Sequence, residues 1–350
     1  MQFTVLTDTS GNLPAPVAQA RGIRVLPFIY TYDGEEHTCT DTDAFDAEAY
    51  YGRIKQGLKV TTSQITPESF AAFFEGPLSE GSDVIFVSMS SGISGSCDSA
   101  RMAAQTLSAK YPDRRLEIID THGASLGEGL IALRAADLRD ANAQTEQAAQ
   151  QLRALAERMF NVFTVDDLNH LRRGGRLSNL SALLGTVLGI KPLLKGDTDG
   201  KIVAFGKVRG RRKSIEALAA MYEKLAAEPE AQTVGIAQAA CREDAQTLVS
   251  LLNKNRPPRE ILTVDYEPVT GAHVGPGALA LFFESSPGVR LYGEEGVSGS
   301  LKDALKVGEK ALSKLSAASE TARAAIGKAG ETARSGIEKT LRRLKDRDKE

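Results

Sequence analysis

Residues 84–100 read VIFVSMSSGISGSCDSA. Val84, Ile85, Phe86, Val87 and Met89 make an apolar run of strand length, which leads into Ser90-Ser91-Gly92-Ile93-Ser94-Gly95-Ser96 and then a helical stretch. Four serines and two glycines at a strand end suit several chemistries. A nucleophile elbow needs G-x-S-x-G with a histidine and an acid nearby. Gly92-Ile93-Ser94-Gly95-Ser96 places its second glycine one residue early, and spacing alone brings none of His37, His122, His170 or His273 to Ser94. A phosphate cradle would use the free N–H groups and dipole of a helix N-terminus. The chain has neither G-x-x-x-x-G-K-[ST] nor G-x-G-x-x-G to go with it. Without such a lysine the loop suits a smaller anion. A carboxylate held by hydroxyls and one or two N–H groups would gain about 1.5–3 kcal/mol per charge-assisted bond. The same residues also make an ordinary helix cap and turn with no ligand.

The elements around this loop follow an alternating pattern. Phe3–Asp8 reads as a strand, with Thr9–Pro14 turning into a helix. Ile23–Tyr32 reads as a second strand region, Asp43–Gln56 as a helix and Thr61–Gln64 as an extended polar loop. Thr66-Pro67-Glu68-Ser69 opens another helix, with proline in the first turn. Leu116–Asp120 is a strand ahead of a Gly-rich loop and a helix around Leu130–Leu138. Alternating strands and helices imply a mostly parallel, Rossmann-like sheet whose ligands bind at the carboxyl ends of the strands. The loops after Asp8, Met89 and Asp120 then share one edge. Gln144–Arg158 is a connecting helix. Beyond it come a strand at Val162–Val165, the turn His170–Arg176 and a helix with Leu180, Leu183, Leu184, Val187 and Leu188 on one face, ended by Gly189 and Pro192. A hairpin over Lys195–Arg209, helices at 213–226 and 242–253, and strands at 233–239 and 261–267 make a second α+β domain closed by the His273–Leu279 loop.

Composition limits the function classes. The 350 residues suffice for two domains, and a net charge of −2 gives no general case for nucleic acid as a partner. Cys39, Cys97 and Cys241 are far apart and form no C-x-x-C, which fits a reducing cytoplasm and neither a disulfide framework nor a zinc ribbon. The start, MQFTVLTDTSGNLP, has no basic n-region, and the apolar region Leu177–Leu194 is too polar to span a bilayer. The histidines show no metal-ligand spacing, so no metal is expected. Residues 301–350 differ from the acidic remainder: they hold 13 Lys+Arg against 8 Asp+Glu. They also repeat every 11 residues, at Leu315, Ile326 and Ile337 and at Ala311, Ala322, Ala333 and Leu344. Eleven residues are close to three helical turns, so these positions form one stripe flanked by basic side chains. Such a helix prefers anionic lipid surfaces.

Six stretches, in order, resemble one family: TDTSGNLP (Thr7–Pro14), TSQITPESF (Thr62–Phe70), SSGISGSCDSA (Ser90–Ala100), LRRGGRLS (Leu171–Ser178), LLGTVLGIKPLL (Leu183–Leu194) and HVGPGAL (His273–Leu279). Together they resemble the DegV family of bacterial fatty-acid-binding proteins over about residues 1–285. The resemblance implies a two-domain α/β fold: a Rossmann-like N-terminal domain over 1–157 and an α+β C-terminal domain over 158–285 that closes an acyl tunnel; the chain's own composition adds a linker over 286–300 and an amphipathic helical tail over 301–350. It implies a protein that is not itself an enzyme. Such a protein carries a long-chain fatty acid to a separate ATP-dependent fatty acid kinase, whose acyl-phosphate product feeds phospholipid synthesis. The bound acid is the ligand, with no other cofactor, and magnesium belongs with the partner's ATP. A cytoplasmic protein is expected, peripheral at the inner face of the membrane where the tail contacts anionic lipid.

Carried onto this chain, the resemblance makes Thr62 and Ser94 the carboxylate-binding residues and puts Arg173 and His273 on the phosphorylation or docking side; His273 and Ser63, next to Thr62, are counted with the carboxylate-binding set, and Arg176 and Arg209, from the two basic clusters, with the docking set. Phe28, Ile93, Leu183, Val187, Ile190 and Leu279 are the expected acyl-tunnel residues. About 15 buried methylenes at roughly 0.8 kcal/mol each would dominate affinity and leave orientation to the hydroxyls. The chain departs from the family at Ser96-Cys97, where Thr-Tyr is usual, and in the tail beyond about residue 285. The competing class is a hydrolase or transferase that acts on a small acyl or phosphorylated substrate through Ser90–Ser96.

Overall fold

The structure is a computed structural model that describes residues 3–42, 44–178 and 189–291. Expectations for Leu183, Val187, the helix over 180–188 and the tail over 301–350 fall outside the described residues.

The chain begins with β1 (Phe3–Asp8), α1 (Ala15–Ala20), β2 (Ile23–Leu26), β3 (Ile29–Tyr32) and β4 (Glu35–His37). Ile23–Tyr32 is therefore two strands, in two different sheets. The break falls at Pro27-Phe28, where proline has no N–H to continue a ladder. Next come α2 (Ala47–Lys55), β5 (Thr61–Ser63), α3 (Pro67–Ser79), β6 (Asp83–Ser88), α4 (Ser96–Lys110), β7 (Leu116–Asp120), α5 (Leu126–Asp140) and α6 (Thr145–Ala156). α2 starts at Ala47, later than expected, because Asp46 caps it by accepting the Ala49 N–H at 2.9 Å.

The first sheet is parallel, in the order β2-β1-β6-β7. Every residue of β6 is buried, as expected for a strand covered on both faces. Two helix pairs cover the sheet, α3 with α4 and α5 with α6. The loops after β1, β6 and β7 lie at the carboxyl edge. Thr61–Ser63, expected as a loop, is a strand of a small antiparallel sheet ordered β4-β3-β5, with Thr62 opposite Tyr30.

The second half contains β8 (Met159–Thr164), α7 (Asn169–Arg173), β9 (Ile190–Gly196), β10 (Ile202–Arg209), α8 (Arg211–Leu225), β11 (Thr233–Gln238), α9 (Arg242–Asn255), β12 (Glu260–Asp265), α10 (Pro268–Val274) and β13 (Leu279–Glu284). Its mixed sheet runs β10-β9-β8-β13-β11-β12, and the β9–β10 hairpin is antiparallel. Pro192 lies within β9, opposite Lys207. His273 is in the last turn of a helix and not in a loop: Pro268 occupies its first turn and Gly275, at φ 77°, ends it.

One tie crosses the whole arrangement. Arg290 falls within the stretch expected as a linker, yet it is 3% exposed. Its guanidinium donates to the carbonyls of Thr121 (3.1 Å), His122 (3.1 Å), Ala156 (2.6 Å) and Asp197 (3.4 Å). It thereby joins the loop after β7, the end of α6 and the β9–β10 turn.

Candidate functional site

The serine loop is wound as a turn, with the Ile93 and Ser94 N–H groups both donating to the Ser90 carbonyl at 3.2 Å. Asp120, at the end of β7, fixes this loop to the next one by accepting the N–H groups of Ser91 (3.2 Å) and His122 (3.1 Å). Burial works to raise the Asp120 carboxyl, but these hydrogen bonds outweigh it and hold the group below its ordinary value. Ser90 Oγ donates to the Gly200 carbonyl at 2.8 Å, so the loop grips the turn of the β9–β10 hairpin. Ser94 Oγ donates to Ser96 Oγ at 3.1 Å, and Ser96 Oγ accepts the Ile65 N–H at 3.1 Å. The unusual Ser96 thus sets the spacing between Ser94 and the end of β5. Cys97 beside it is fully buried, and burial pushes its thiol up to about 12.

Opposite the serine loop stands α10. Glu267 caps it by accepting the N–H groups of Val269 (2.7 Å) and Thr270 (2.5 Å). Asn12, in the loop after β1, donates to the Asp265 carbonyl at 2.9 Å and accepts the Glu267 N–H at 3.0 Å. The hydroxyls of Tyr50 and Tyr51 on α2 donate to the carbonyls of Pro268 (2.8 Å) and Tyr266 (2.7 Å). Both ends of this support are therefore anchored in the first half of the chain. The result is a fixed His273, whose Nε2 is 2.8 Å from Thr62 Oγ1. Burial, helped by the charge of Arg176, lowers the imidazole to about 4, so it is neutral near pH 7. Gly174 is required beside it: a Cβ there would come within 2.4 Å of His273 Nδ1. Arg176 donates to the carbonyls of Ile93 (3.2 Å) and Gly174 and so links the R-G-G-R turn to the serine loop.

Thr62, Ser63, Ser94, Arg176 and His273 line the rim of a cavity of about 280 Å³, just below the range of roughly 300–1,000 Å³ common for small-molecule sites. Phe28, Met89 and Ile93 line it from the first half of the chain. Phe163, Leu171, Ile202, Val269, Val274 and Phe282 line it from the second. The rim residues Thr62, Ser94, Arg176 and His273 are half-buried and Ser63 is exposed, whereas Gly123, Ser125, Asn161, Phe163 and Phe282 are buried. The polar groups therefore gather at a partly open mouth, and a mainly apolar chamber runs inward.

Other expected residues lie elsewhere. Leu279 is fully buried in β13, and Ile190 is half-buried at the start of β9; neither is on the cavity wall. Arg173 and Arg209 are exposed and also off the wall, and Arg173 approaches His170 Nδ1 at 3.3 Å. Sequence reasoning missed Asn161, Phe163, Thr270 and Phe282. The available signal was Asn161 itself, the one polar side chain in the otherwise apolar Met159–Phe163. Ser94 Oγ donates to Ser96 and the His273 imidazole meets Thr62, so among the described residues Ser94 and His273 do not pair as a nucleophile and its base. Among the described residues, no group of three or more His, Cys, Asp or Glu is placed to hold a metal. No described helix is long and apolar enough to cross a membrane.

Two sheets enclosing an apolar chamber with hydroxyls, a neutral imidazole and an arginine at its mouth define an α/β ligand-binding architecture. The chain belongs to the DegV family: the family model, described as uncharacterised protein, DegV family, matches residues 2–286. A DegV domain-containing protein of Clostridium perfringens is 33% identical over 283 residues, which is 81% of this chain and 97% of that protein. Among solved structures, a DegV family protein from Thermus thermophilus, described as fatty acid binding, aligns with TM-score 0.74 at 28% identity, covering 82% of this chain and 100% of that one. DegV of Bacillus subtilis, described as a fatty acid binding protein, aligns with TM-score 0.70 at 28% identity over 82% of this chain and 100% of that one.

Proposed function

We propose that the cavity holds one long-chain fatty acid, with its carboxylate at the mouth and its chain inside, and that the protein presents this carboxylate to a separate ATP-dependent kinase. One observation carries the reading: Thr62, Ser94, His273 and Arg176 meet at the half-buried rim of a chamber with largely apolar walls. The relatives described as fatty acid binding support it. For Thr62 to donate to a carboxylate, its hydroxyl accepts from His273 Nε2–H, which leaves Nδ1 unprotonated against Gly174. Ser94 supplies a second donor when its hydroxyl turns from Ser96 Oγ to the carboxylate. Arg176 adds positive charge where negative charge collects during phosphoryl transfer. The bound carboxylate is then the nucleophile, and the hydroxyls hold it in line. Arg173 and Arg209, outside the cavity, suit the docking of an acidic partner.

Native mass spectrometry of the purified protein tests the reading. A co-purifying mass equal to a fatty acid is expected. Thr62→Ala and Ser94→Ala should each weaken its binding about tenfold or more. A protein that takes up no fatty acid but hydrolyses small esters or phosphates would move the assignment to the enzyme class.

The basic residues 301–350 extend the proposal to the membrane: their stripe and charge suit an anionic bilayer surface. The full chain should co-sediment with anionic liposomes, and a chain truncated after residue 295 should not. Equal sedimentation of the two would remove the membrane from the account.

A further inference from the structure

Behind the cavity wall stands a second serine that a ligand does not reach. Ser96 is the first residue of α4, is fully buried and is not on the wall. Ser94, two residues earlier, is half-buried and on it. Ser96 Oγ accepts the Ile65 N–H at 3.1 Å and the Ser94 hydroxyl at 3.1 Å. Ser94 Oγ accepts the Ser96 N–H at 3.2 Å. A hydroxyl has one proton and two lone pairs. Both lone pairs of Ser96 Oγ are thus filled, and its own proton has no acceptor among the described residues. A buried donor left unmet is costly. Ser94 has the complementary gap: one lone pair is unused, and its only proton is turned inward, away from the cavity.

An anion at the mouth resolves both gaps at once. When Ser94 turns its proton to a carboxylate, its unused lone pair is left 3.1 Å from Ser96 Oγ, and the Ser96 proton can enter the contact that Ser94 has vacated. Every group is then matched: the Ile65 N–H donates to Ser96 Oγ, the Ser96 hydroxyl to Ser94 Oγ and the Ser94 hydroxyl to the carboxylate. The donors run head to tail, so each polarises the next. We infer that Ser96 is a positioning residue for the carboxylate: its buried hydroxyl takes over the contact with Ser94 when the ligand arrives and thereby makes Ser94 a donor toward the head group. The inference rests on the fatty-acid reading above and deepens it. Ser96 also ties Ser94 to the segment that follows β5, the strand of Thr62, so one side chain serves both hydroxyls of the mouth. The device favours a charged head. A carboxylate draws the Ser94 proton with a charge-assisted bond, roughly twice as strong as the one a methyl ester carbonyl offers.

A double-mutant cycle on the full chain tests this, with palmitic acid and methyl palmitate as probes. Ser96→Ala should weaken palmitate binding about tenfold or more and methyl palmitate binding less than about threefold. In a Ser94→Ala background, Ser96→Ala should change palmitate binding by less than about twofold, because no hydroxyl is left to turn. Ser96→Thr keeps the hydroxyl and should stay within about threefold of the wild type for palmitate. Should Ser96→Ala not fold, Ser96→Cys replaces it in the cycle, since its S–H is a weak donor of similar size. A loss equal for acid and ester, or equal with and without Ser94, makes Ser96 a purely structural cap and overturns the inference. Palmitate affinity unchanged by removal of the Ser96 hydroxyl overturns it as well. If the wild type binds neither probe, the fatty-acid reading falls and the inference with it, a result distinct from binding that ignores Ser96.

Discussion

The cavity's two walls are made of different materials. From the first half of the chain come strand-end loops and the short β5, which offer the hydroxyls of Thr62 and Ser94. From the second half come Phe163, Ile202 and Phe282, along with the helix that carries His273. On the fatty-acid reading proposed above, the hydroxyls of the first wall orient a charged head, with His273 and Arg176 joining them from the second, and the sheet face of the second wall supplies much of the area that buries a chain. The site therefore exists only while the walls are held in register, and a few buried polar residues do this.

Arg290 is the test of that register with the largest expected effect. Its guanidinium satisfies four carbonyls from three segments that belong to opposite walls. Arg290→Met keeps the aliphatic stem but removes the donors to the Thr121, His122 and Ala156 carbonyls, while Asp197 keeps the Gly200 N–H. A loss of roughly 3–5 kcal/mol in urea unfolding is expected. A loss below about 1 kcal/mol would mean that the walls are fastened elsewhere, through Asn12 or the Ser90–Gly200 contact. Arg290→Lys should fall between, since an ammonium has three donors and no fork.

The two walls were unequally legible in the sequence. The serine loop stood out because an apolar run with the length of a buried strand ends abruptly in small polar residues, and parallel-sheet topology then puts that end at a ligand edge. Thr62 could be named from the family resemblance, but its strand could not: Thr61-Thr62-Ser63 has no apolar alternation, and pairing with Tyr30 is what extends it. His273 appeared to lie in a loop because the glycines that follow it outweigh a helix of only seven residues, which depends on a distant cap and tyrosine supports. Arg290 follows Pro287-Gly288 and reads locally as linker; its burial comes from tertiary contacts that no local pattern encodes. For Leu279 the family stretch pointed to the right strand, but the side chain belongs to the core of the sheet and not to the chamber.

The smaller test concerns the cap beneath His273. Glu267 is fully buried, and burial, only partly offset by the N–H groups of Thr270 and Val269, raises its carboxyl to about 7 from an ordinary 4.5. Its folded value lies above its unfolded one, so the folded state holds the proton more tightly. The stability this contributes is fully present below about pH 4.5 and is lost as pH rises toward 7. His273 has the opposite slope: its folded value, near 4, lies below the ordinary 6.5, so stability falls as pH drops from 6.5 toward 4. Between about pH 4.5 and 6.5 the two slopes oppose each other, and the wild type should look nearly indifferent to pH on their account. Glu267→Gln keeps a capping oxygen and removes only the first slope. Measured by urea unfolding at a series of pH values, the advantage of the wild type over Glu267→Gln should shrink by about 3 kcal/mol between pH 4.5 and 7.5. The variant alone should then gain stability steadily as pH rises from 4 to 6.5. A constant difference across that range would mean that the carboxylate ionises at no cost. The support of His273 would then be a charged cap favoured by the helix dipole, and not a buried group held near neutrality.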